Sequence, residues 1–557
     1  MYLAQLILAA ITYISPVHFD VLLAGNFGEP RPNHFHGGLD IKTQREEGKA
    51  IYAIGDGFVS RVTVNVGGMG NALYVRHPEG YTSVYAHLQR FAPAIEAVVR
   101  KWQYENQSTD VDMELDATDC PVAQGQLIAL SGDTGASMGP HLHLEIHQTD
   151  NWDMKDPLEF IPDLLQDSVC PKAHAIMAYP IEGEGVFCGD ENPQRFDFMD
   201  GLLPDTLYAW GKVGFALNAD DYMQGSENRY GVKFTALFVD GNEVFRSVVD
   251  DIPVADNRMV NVWGDYDYFI EHQEWFMRSF VLPGNRLHFI KTDKNNGVVC
   301  FNEERKYKLT YVLCDFFGNE AKYSFVVNAV PTDMTHSEPT DSLTFDMDKD
   351  NDCKMEGMSL NVPKGALLNH VLVEPSAKSH LSRYSDGYMV SGKSIPLMGK
   401  AHLKLRLDAD VDDNSKLYIS ALKRTKQNEL DLDSSQRVFV GGHYNDGWME
   451  GDVDDIGNVF TIDYDNEPPQ IIPLLQKMWE KDAFILVDLK DSHSGVSKFQ
   501  GFLDGQFVLF DHVKKSSKYC CFLKDTPIEP NGKLRQLRML AQDNVGNETV
   551  FDTTLKY

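Results

Sequence analysis

The chain has 557 residues, of which 43% are hydrophobic and 24% charged, and it carries a net charge of −31 at pH 7 with a pI of about 4.9. That length exceeds what one hydrophobic core serves and predicts roughly three or four domains of ordinary globular composition. The acidity excludes a nucleic-acid partner, whose phosphates need a basic surface, and disfavours an anionic membrane surface; it is spread along the chain, with 21 acidic and 10 basic residues between 16 and 165.

The chain opens with an apolar run from Leu3 to Ile14. It is too short to span a bilayer and reads, over residues 1–15, as the remnant of a signal-peptide hydrophobic region, although no Lys or Arg precedes it. The expected location is therefore periplasmic, secreted or otherwise in the cell envelope, and no later segment reads as transmembrane.

Residues 16–165 form the first expected domain, built of short strands and Gly-rich turns. AIYAIGDGFVSRVTV alternates around Gly55-Asp56-Gly57, and NALYVRHPEGYTSVYAHL predicts two strands joined at HPEG. PAIEAVVRKWQYENQ has Ile95, Val98, Val99 and Trp102 at helical spacing and predicts one helix inside an insertion of about 92–120. LIALSGDTGASMGPHLHLEIH returns to strand, glycine loop and strand.

The rest of the chain reads as all-β, giving a mainly β fold overall. CDFFGNE at 314–320 echoes QDNVGNE at 542–548, and VDGNEVF and LDGQFVLF are hairpins upstream of each. The echo predicts two related Ig-like β-sandwiches, over 170–332 and 466–557, the first with a longer insertion. DYDNEPPQIIP is the linker into the second, and 333–465 is a further β-rich domain. None of the eight cysteines forms a CxxC pair, so a thiolate zinc ribbon is not expected. An oxidising compartment would favour Cys170 with Cys188 or Cys300 with Cys314; free buried thiols are the plainer expectation.

The chemistry concentrates in the first domain. His36 and Asp40, in NHFHGGLD, are four residues apart, but Gly37 and Gly38 disfavour a helix. His141 and His143 in GPHLHLEIH share one face of a strand, with Leu142 and Leu144 on the other. Two buried imidazoles on one face need partners, and a zinc ion supplies one. His36, Asp40 and one of the pair make three protein ligands, leaving a fourth position for water, as in a catalytic zinc site. His87, in SVYAHL, adds an imidazole suited to proton transfer or oxyanion stabilisation.

HFHGGLDIKT, YAHL and SGDTGASMGPHLHLEI, in this order, resemble the LytM/lysostaphin-like zinc metallopeptidases of peptidase family M23. GKAIYAIGDGFVSRV and GNALYVRHPEGYTSVYAHL are similar to that family's core sheet, so the resemblance covers roughly residues 22–148. It implies an antiparallel β-sheet metallopeptidase domain in which His36, Asp40 and His143 bind Zn2+ while His87 and His141 act on the water or the tetrahedral intermediate. It also implies hydrolysis of peptide cross-links in peptidoglycan by zinc-activated water. Some relatives have lost ligands and only activate amidases; here every expected ligand is present. About thirty residues, including the predicted helix, separate YAHL from the HxH loop where simpler members have few. They either border the substrate groove or dock to the sheet. The trailing β domains make the whole most similar to envelope proteins of Bacteroidetes-type Gram-negative bacteria, and imply envelope proteins as partners. The rival functions are a catalytically silent regulator that binds a cell-wall amidase, and a surface adhesion or scaffold protein.

Other features have plainer readings. His34, His77 and His147 are expected to be exposed or at the rim, and Glu145 either orients a ligand or lines the rim. Asn33 is a weak candidate to approach the metal. Gly132, Gly135 and Gly139 are expected to serve backbone conformation. DMDKDND at 346–352 lacks the Gly and Glu of a calcium loop and reads as solvated acid. The D-x-x-G-N-E repeats read as turns, and WGDYDYF at 263–269 either stacks on sugars or packs in a core.

Overall fold

The computed structural model describes residues 13–203, 206–334, 343–379, 381–422 and 437–557. The apolar run, apart from its last two residues, lies outside the described residues. Among them no helix is long and apolar enough to cross a membrane.

The chain is mainly β, as its patterning predicts. The N-terminal sheet is built from β1 (Leu23–Gly25), β2 (Gly38–Lys42), β3 (Gly57–Val66), β4 (Gly70–Arg76), β5 (Tyr81–Ala86), β6 (Val111–Glu114) and β7 (His141–Gln148). Their order is β1-β2-β7-β5-β4-β3-β6, antiparallel throughout. β4 and β5 are the hairpin predicted at HPEG. The strand Ala50–Tyr52 leaves this sheet and pairs with Leu127–Leu130 in a small second one, so the alternating run before Gly57 bridges two sheets.

Central strand β7 is buried on both faces. Leu142, Leu144 and Ile146 enter the apolar core with Leu39, Ile41, Ile51 and Ile128. His141, His143, Glu145 and His147 alternate with them and share the opposite face, as period two requires. That face is floored by Ala72, Tyr74, Val84 and Ala86.

The insertion holds helix α1 (Pro93–Asn106), which starts with proline in its first turn and stops where Gln107 turns left-handed at φ 50°. Its strand β6 docks on the sheet edge beside β3. Its helix supports the last part of the chain: Arg100 pairs with Asp511, and Gln500 Nε2 donates to Gln107 O at 2.8 Å.

Beyond residue 170 the strands form further sheets: one ten-stranded sheet within 172–329, two five-stranded sheets within 351–464, and two four-stranded sheets within 470–556. The internal echo is structural. Asp240-Gly241 and Asp504-Gly505 are both left-handed hairpin turns, and the two D-x-x-G-N-E segments both join long paired strands. One apolar core runs through the N-terminal sheet and residues 173–329, whereas 345–462 and 471–555 each have their own. Met154 pairs with Ile252 across this junction, and Phe35 packs on Trp263 and Phe289. The segment WGDYDYF is therefore helical and mostly packed inward rather than an exposed stacking surface. All eight cysteines are free, with Cys120, Cys353 and Cys521 buried; neither candidate pair is joined.

Candidate metal centre

Two strands and the loop before one of them bring the predicted ligands together. His143 lies directly across from Asp40 on β2 and Ala86 on β5, so the small Ala86 leaves room on one side while Asp40 meets the imidazole on the other. The close approach of β2 to β7 depends on glycine: a Cβ on Gly38 would lie 2.1 Å from Leu144 O, and one on Gly37 2.5 Å from Glu145 Oε1. His36 sits just before this pair, its main chain fixed by bonds to Gly28 and Glu29.

The result is a compact triangle. His36 Nε2 lies 3.1 Å from Asp40 Oδ1 and 3.0 Å from His143 Nδ1, and His143 Nδ1 lies 2.8 Å from Asp40 Oδ1. The outward nitrogens fix the tautomers. His36 Nδ1 donates to Asn26 O at 2.6 Å, and His143 Nε2 donates to Glu145 Oε1 at 2.9 Å. With those protons committed outward, three lone-pair donors face one another. Such an arrangement is repulsive unless a proton or a cation lies among them. Tetrahedral zinc, with bonds of about 2.0–2.1 Å, needs donor atoms about 3.3 Å apart, close to what is found. The N/O donor set thus fits zinc once the triangle, 2.8–3.1 Å on a side, opens by a few tenths of an ångström.

Protonation energetics agree. Burial pushes His36 down to about 4 in spite of Asp40. Burial also opposes charge on His143, but hydrogen bonds to Asp40 and Glu145 outweigh it and hold it up at about 9. Burial alone would raise Asp40 and Glu145; contact with the surrounding histidines holds both well below the usual carboxylate range. In the metal-free protein a proton on His143 stands where a cation would, so metal binding is coupled to proton release.

Two more imidazoles complete the site. His141 Nδ1 donates to Gly139 O at 2.8 Å, leaving Nε2 3.4 Å from Asp40 Oδ1. His87 is reached by a break in the strand. Ala86 is on the site face, so a regular strand would turn His87 to the core; instead it adopts φ 60° and swings back. Its Nδ1 donates to Thr134 O at 2.8 Å, and its ring lies 4.7 Å from that of His141. Burial, with the neighbouring His143 and His141 charges, pushes His87 down to about 4. It is neutral at physiological pH, with Nε2 free to accept a proton.

Several residues stand otherwise than the sequence led us to expect. Glu145 is buried and orients His143, the first of its two alternatives, while Oε2 accepts from His147 Nε2 at 2.7 Å. His147 is no rim residue: it is buried and stacks on Trp152. His77 is likewise buried, held between Asp56 O and Ser83 Oγ, because the hairpin turn folds back over Gly55. His34 is exposed, as expected. Asn33 is drawn away from the centre to Asn261. Arg31 takes that flank instead, its Nη2 donating to Asp40 Oδ2 at 2.7 Å. Of the three loop glycines only Gly135 needs a left-handed φ; Gly132 is required by close approach to Gln89, and Gly139 has open space around it.

The rear of the chain also shapes the site. Asn257 Oδ1 accepts from Phe35 N at 2.7 Å, and Asn26 exchanges two bonds with Gly231, so the loop carrying His36 is pinned from more than 190 residues away. Lys515 pairs with Asp133 in the loop before His141. Beside this pair lies a cleft of about 640 Å3, lined by Asn71, Gln89, Thr134, Gly135, Lys514 and Lys515 among others. Arg31, Asn26, Asn257 and Lys515 carry no motif, and no sequence signal announces them.

Comparison with known proteins gives the same region. Residues 34–104 match peptidase family M23, and residues 342–465 match the Zu5-like domain. An uncharacterized metalloprotease of Haemophilus influenzae is 34% identical over 120 residues, 22% of this chain and 19% of the relative. Peptidoglycan DD-endopeptidase ShyC of Vibrio cholerae is 36% identical over 98 residues, 18% of this chain and 17% of that protein. A zinc-containing peptidase from Vibrio cholerae, known in crystal structure, is 28% identical and covers 24% of this chain and 36% of its own, with a TM-score of 0.18. The chain thus spans about a fifth of the length of the curated relatives it matches.

Proposed function

We propose that this chain, whose N-terminal sheet is an M23 peptidase region, is a zinc-dependent endopeptidase that hydrolyses peptide cross-links of peptidoglycan in the cell envelope. The observation that carries the reading is the triangle of His36 Nε2, Asp40 Oδ1 and His143 Nδ1, with two unliganded imidazoles beside it. A bound zinc ion supplies a Lewis acid that polarises the scissile carbonyl and acidifies water. The other tasks fall to side chains. His87 and His141 take the proton from the attacking water as the O–C bond forms, and one of them returns it to the amine as the C–N bond breaks. The fixed Nδ1–H bonds of both rings to Thr134 O and Gly139 O keep Nε2 as the working atom. Glu145 and Arg31 hold His143 and Asp40 in orientation. The relatives named for peptidoglycan endopeptidase activity support the substrate class.

The test is a muropeptide digest. Zinc-loaded protein and its His143→Ala variant are incubated with cross-linked peptidoglycan, and the products are read by mass. The parent alone is expected to convert dimers to monomers. Bound zinc with no cleavage by the parent would refute the endopeptidase reading and favour a silent regulator.

A further inference from the structure

Outside the histidine cluster, three aspartates converge where the chain leaves the N-terminal sheet. Asp167, Asp221 and Asp315 each offer one carboxylate oxygen, all within 4.8 Å of one another. They come from three separate places. Asp167 lies in the connecting segment before strand Lys172–Phe187, Asp221 directly follows strand Leu207–Asp220, and Asp315 opens the turn between Lys306–Cys314 and Glu320–Ala329.

Such a cluster alone is unremarkable, but Asp221 is not solvated acid. It is 9% exposed, and its Oδ1 is buried without a hydrogen-bond partner. The Tyr222 N–H bonds to it, Asp315, Asp167 and Asp220 act on it as like charges, and Lys233 in the same pocket is paired with Asp156 and Glu159. Burial first, then these like charges, push its carboxyl up to about 8. Without a cation such a carboxyl holds a proton at neutral pH, and a divalent ion among the three oxygens would take that proton's place.

The arrangement also occurs twice. Asn319 donates its main-chain N–H and its Nδ2 to Asp315, and the same Nδ2 reaches Asp167 O. Asn547 makes the same three bonds, to Asp543 twice and to Asp465 O. Asp465, Asp491 and Asp543 then form the corresponding triad before strand Gln470–Leu474. The D-x-x-G-N-E turn therefore does more than reverse the chain: at both junctions it grips a linker aspartate and turns a carboxylate towards it. This departs from the plain turn that the sequence predicts.

We propose that Asp167, Asp221 and Asp315 form a binding site for a hard divalent cation of the calcium class, which fastens the connecting segment to the β-structure behind it. The three donors are all oxygens, which suit calcium rather than zinc or copper. All three oxygens lie within 4.8 Å of one another, no farther apart than two oxygens can be across one ion with bonds of about 2.4 Å. The proposal is independent of the peptidase reading.

The test is a calcium titration of the full, zinc-loaded chain by calorimetry, beside Asp221→Asn. The parent is expected to bind calcium at micromolar to millimolar concentrations, and the variant to bind at least one ion fewer or more than tenfold more weakly there. Identical isotherms, or no binding by the parent at millimolar calcium, overturn the proposal. His143→Ala is expected to leave the titration unchanged; loss of calcium binding in that variant would assign the ion to the histidine site and refute it. Because Asp221 is buried, the parent alone supplies a second measurement. Amide exchange in 166–171 is expected to slow when calcium is added, and unchanged exchange counts against the site.

Discussion

Glu145 offers the sharpest test of how the histidine centre is held. It lies outside the triangle of donors, yet its buried carboxylate accepts from His143 Nε2 at 2.9 Å and from His147 Nε2 at 2.7 Å. The two substitutions that remove its charge differ in what they leave behind. In Glu145→Gln the amide oxygen still accepts from His143, and the amide nitrogen donates to His147 Nε2 once that ring keeps its proton on Nδ1 for Trp152 O. Only charge assistance is lost. In Glu145→Ala the His143 N–H is left buried without an acceptor, and nothing selects the tautomer that points Nδ1 inward. Carboxylates behind metal-bound histidines typically contribute 10–100-fold to affinity. We therefore expect zinc affinity to fall about 10-fold in the glutamine variant and about 100-fold in the alanine variant, or about 1.4 and 2.7 kcal/mol. Competition against a chromogenic chelator measures both. An alanine variant within twofold of the parent would refute the reasoning, since it would mean that His143 is oriented by packing alone.

Other consequences follow from the same geometry. Gly38→Ala sets a Cβ 2.1 Å from Leu144 O, beyond what side-chain repacking absorbs, and is expected to cost more than about 3 kcal/mol in chemical denaturation and to abolish zinc binding. Phe35→Ala empties a fully buried position between Trp263 and Phe289 and is expected to cost about 3–5 kcal/mol; a loss under 1 kcal/mol would show that the two parts do not share a core. Glu29 predicts a pH effect. Burial, opposed by Arg31, pushes its carboxyl up to about 6 from 4.5, so the folded state holds the proton more tightly than the unfolded chain. Stability from this group is full below pH 4.5 and is lost as pH rises through 6. Glu29→Gln escapes that loss. Its stability relative to the parent should therefore rise between pH 4.5 and 7, by at most about 2 kcal/mol, and a difference that is flat with pH counts against the assignment.

The sequence by itself determined the donor chemistry and the strand that carries half of it. HLHLEIH alternates with period two, so its histidines and Glu145 had to share one face and its leucines the other. The hairpin at HPEG, the helix at 93–106 and the echo of the two D-x-x-G-N-E segments were equally legible, because each depends on local spacing or turn chemistry. What the sequence could not decide was where those faces point and what covers them. Register against β2 sets Asp40 beside His143, and only a steric fact at Gly38 keeps the strands that close. A left-handed residue carries His87 to the face that strand periodicity denies it. His77 and His147, polar residues at a turn and a strand end, are buried because the chain folds back over them, Asp56 and Ser83 around His77 and Trp152 over His147. Arg31, Asn257, Lys515 and the carboxylates of Asp167 and Asp221 gain their roles from contacts 9 to 382 residues apart in the chain or from shared burial. Local sequence fixes periodicity and donor type; long-range packing fixes proximity, and proximity makes donors into a site.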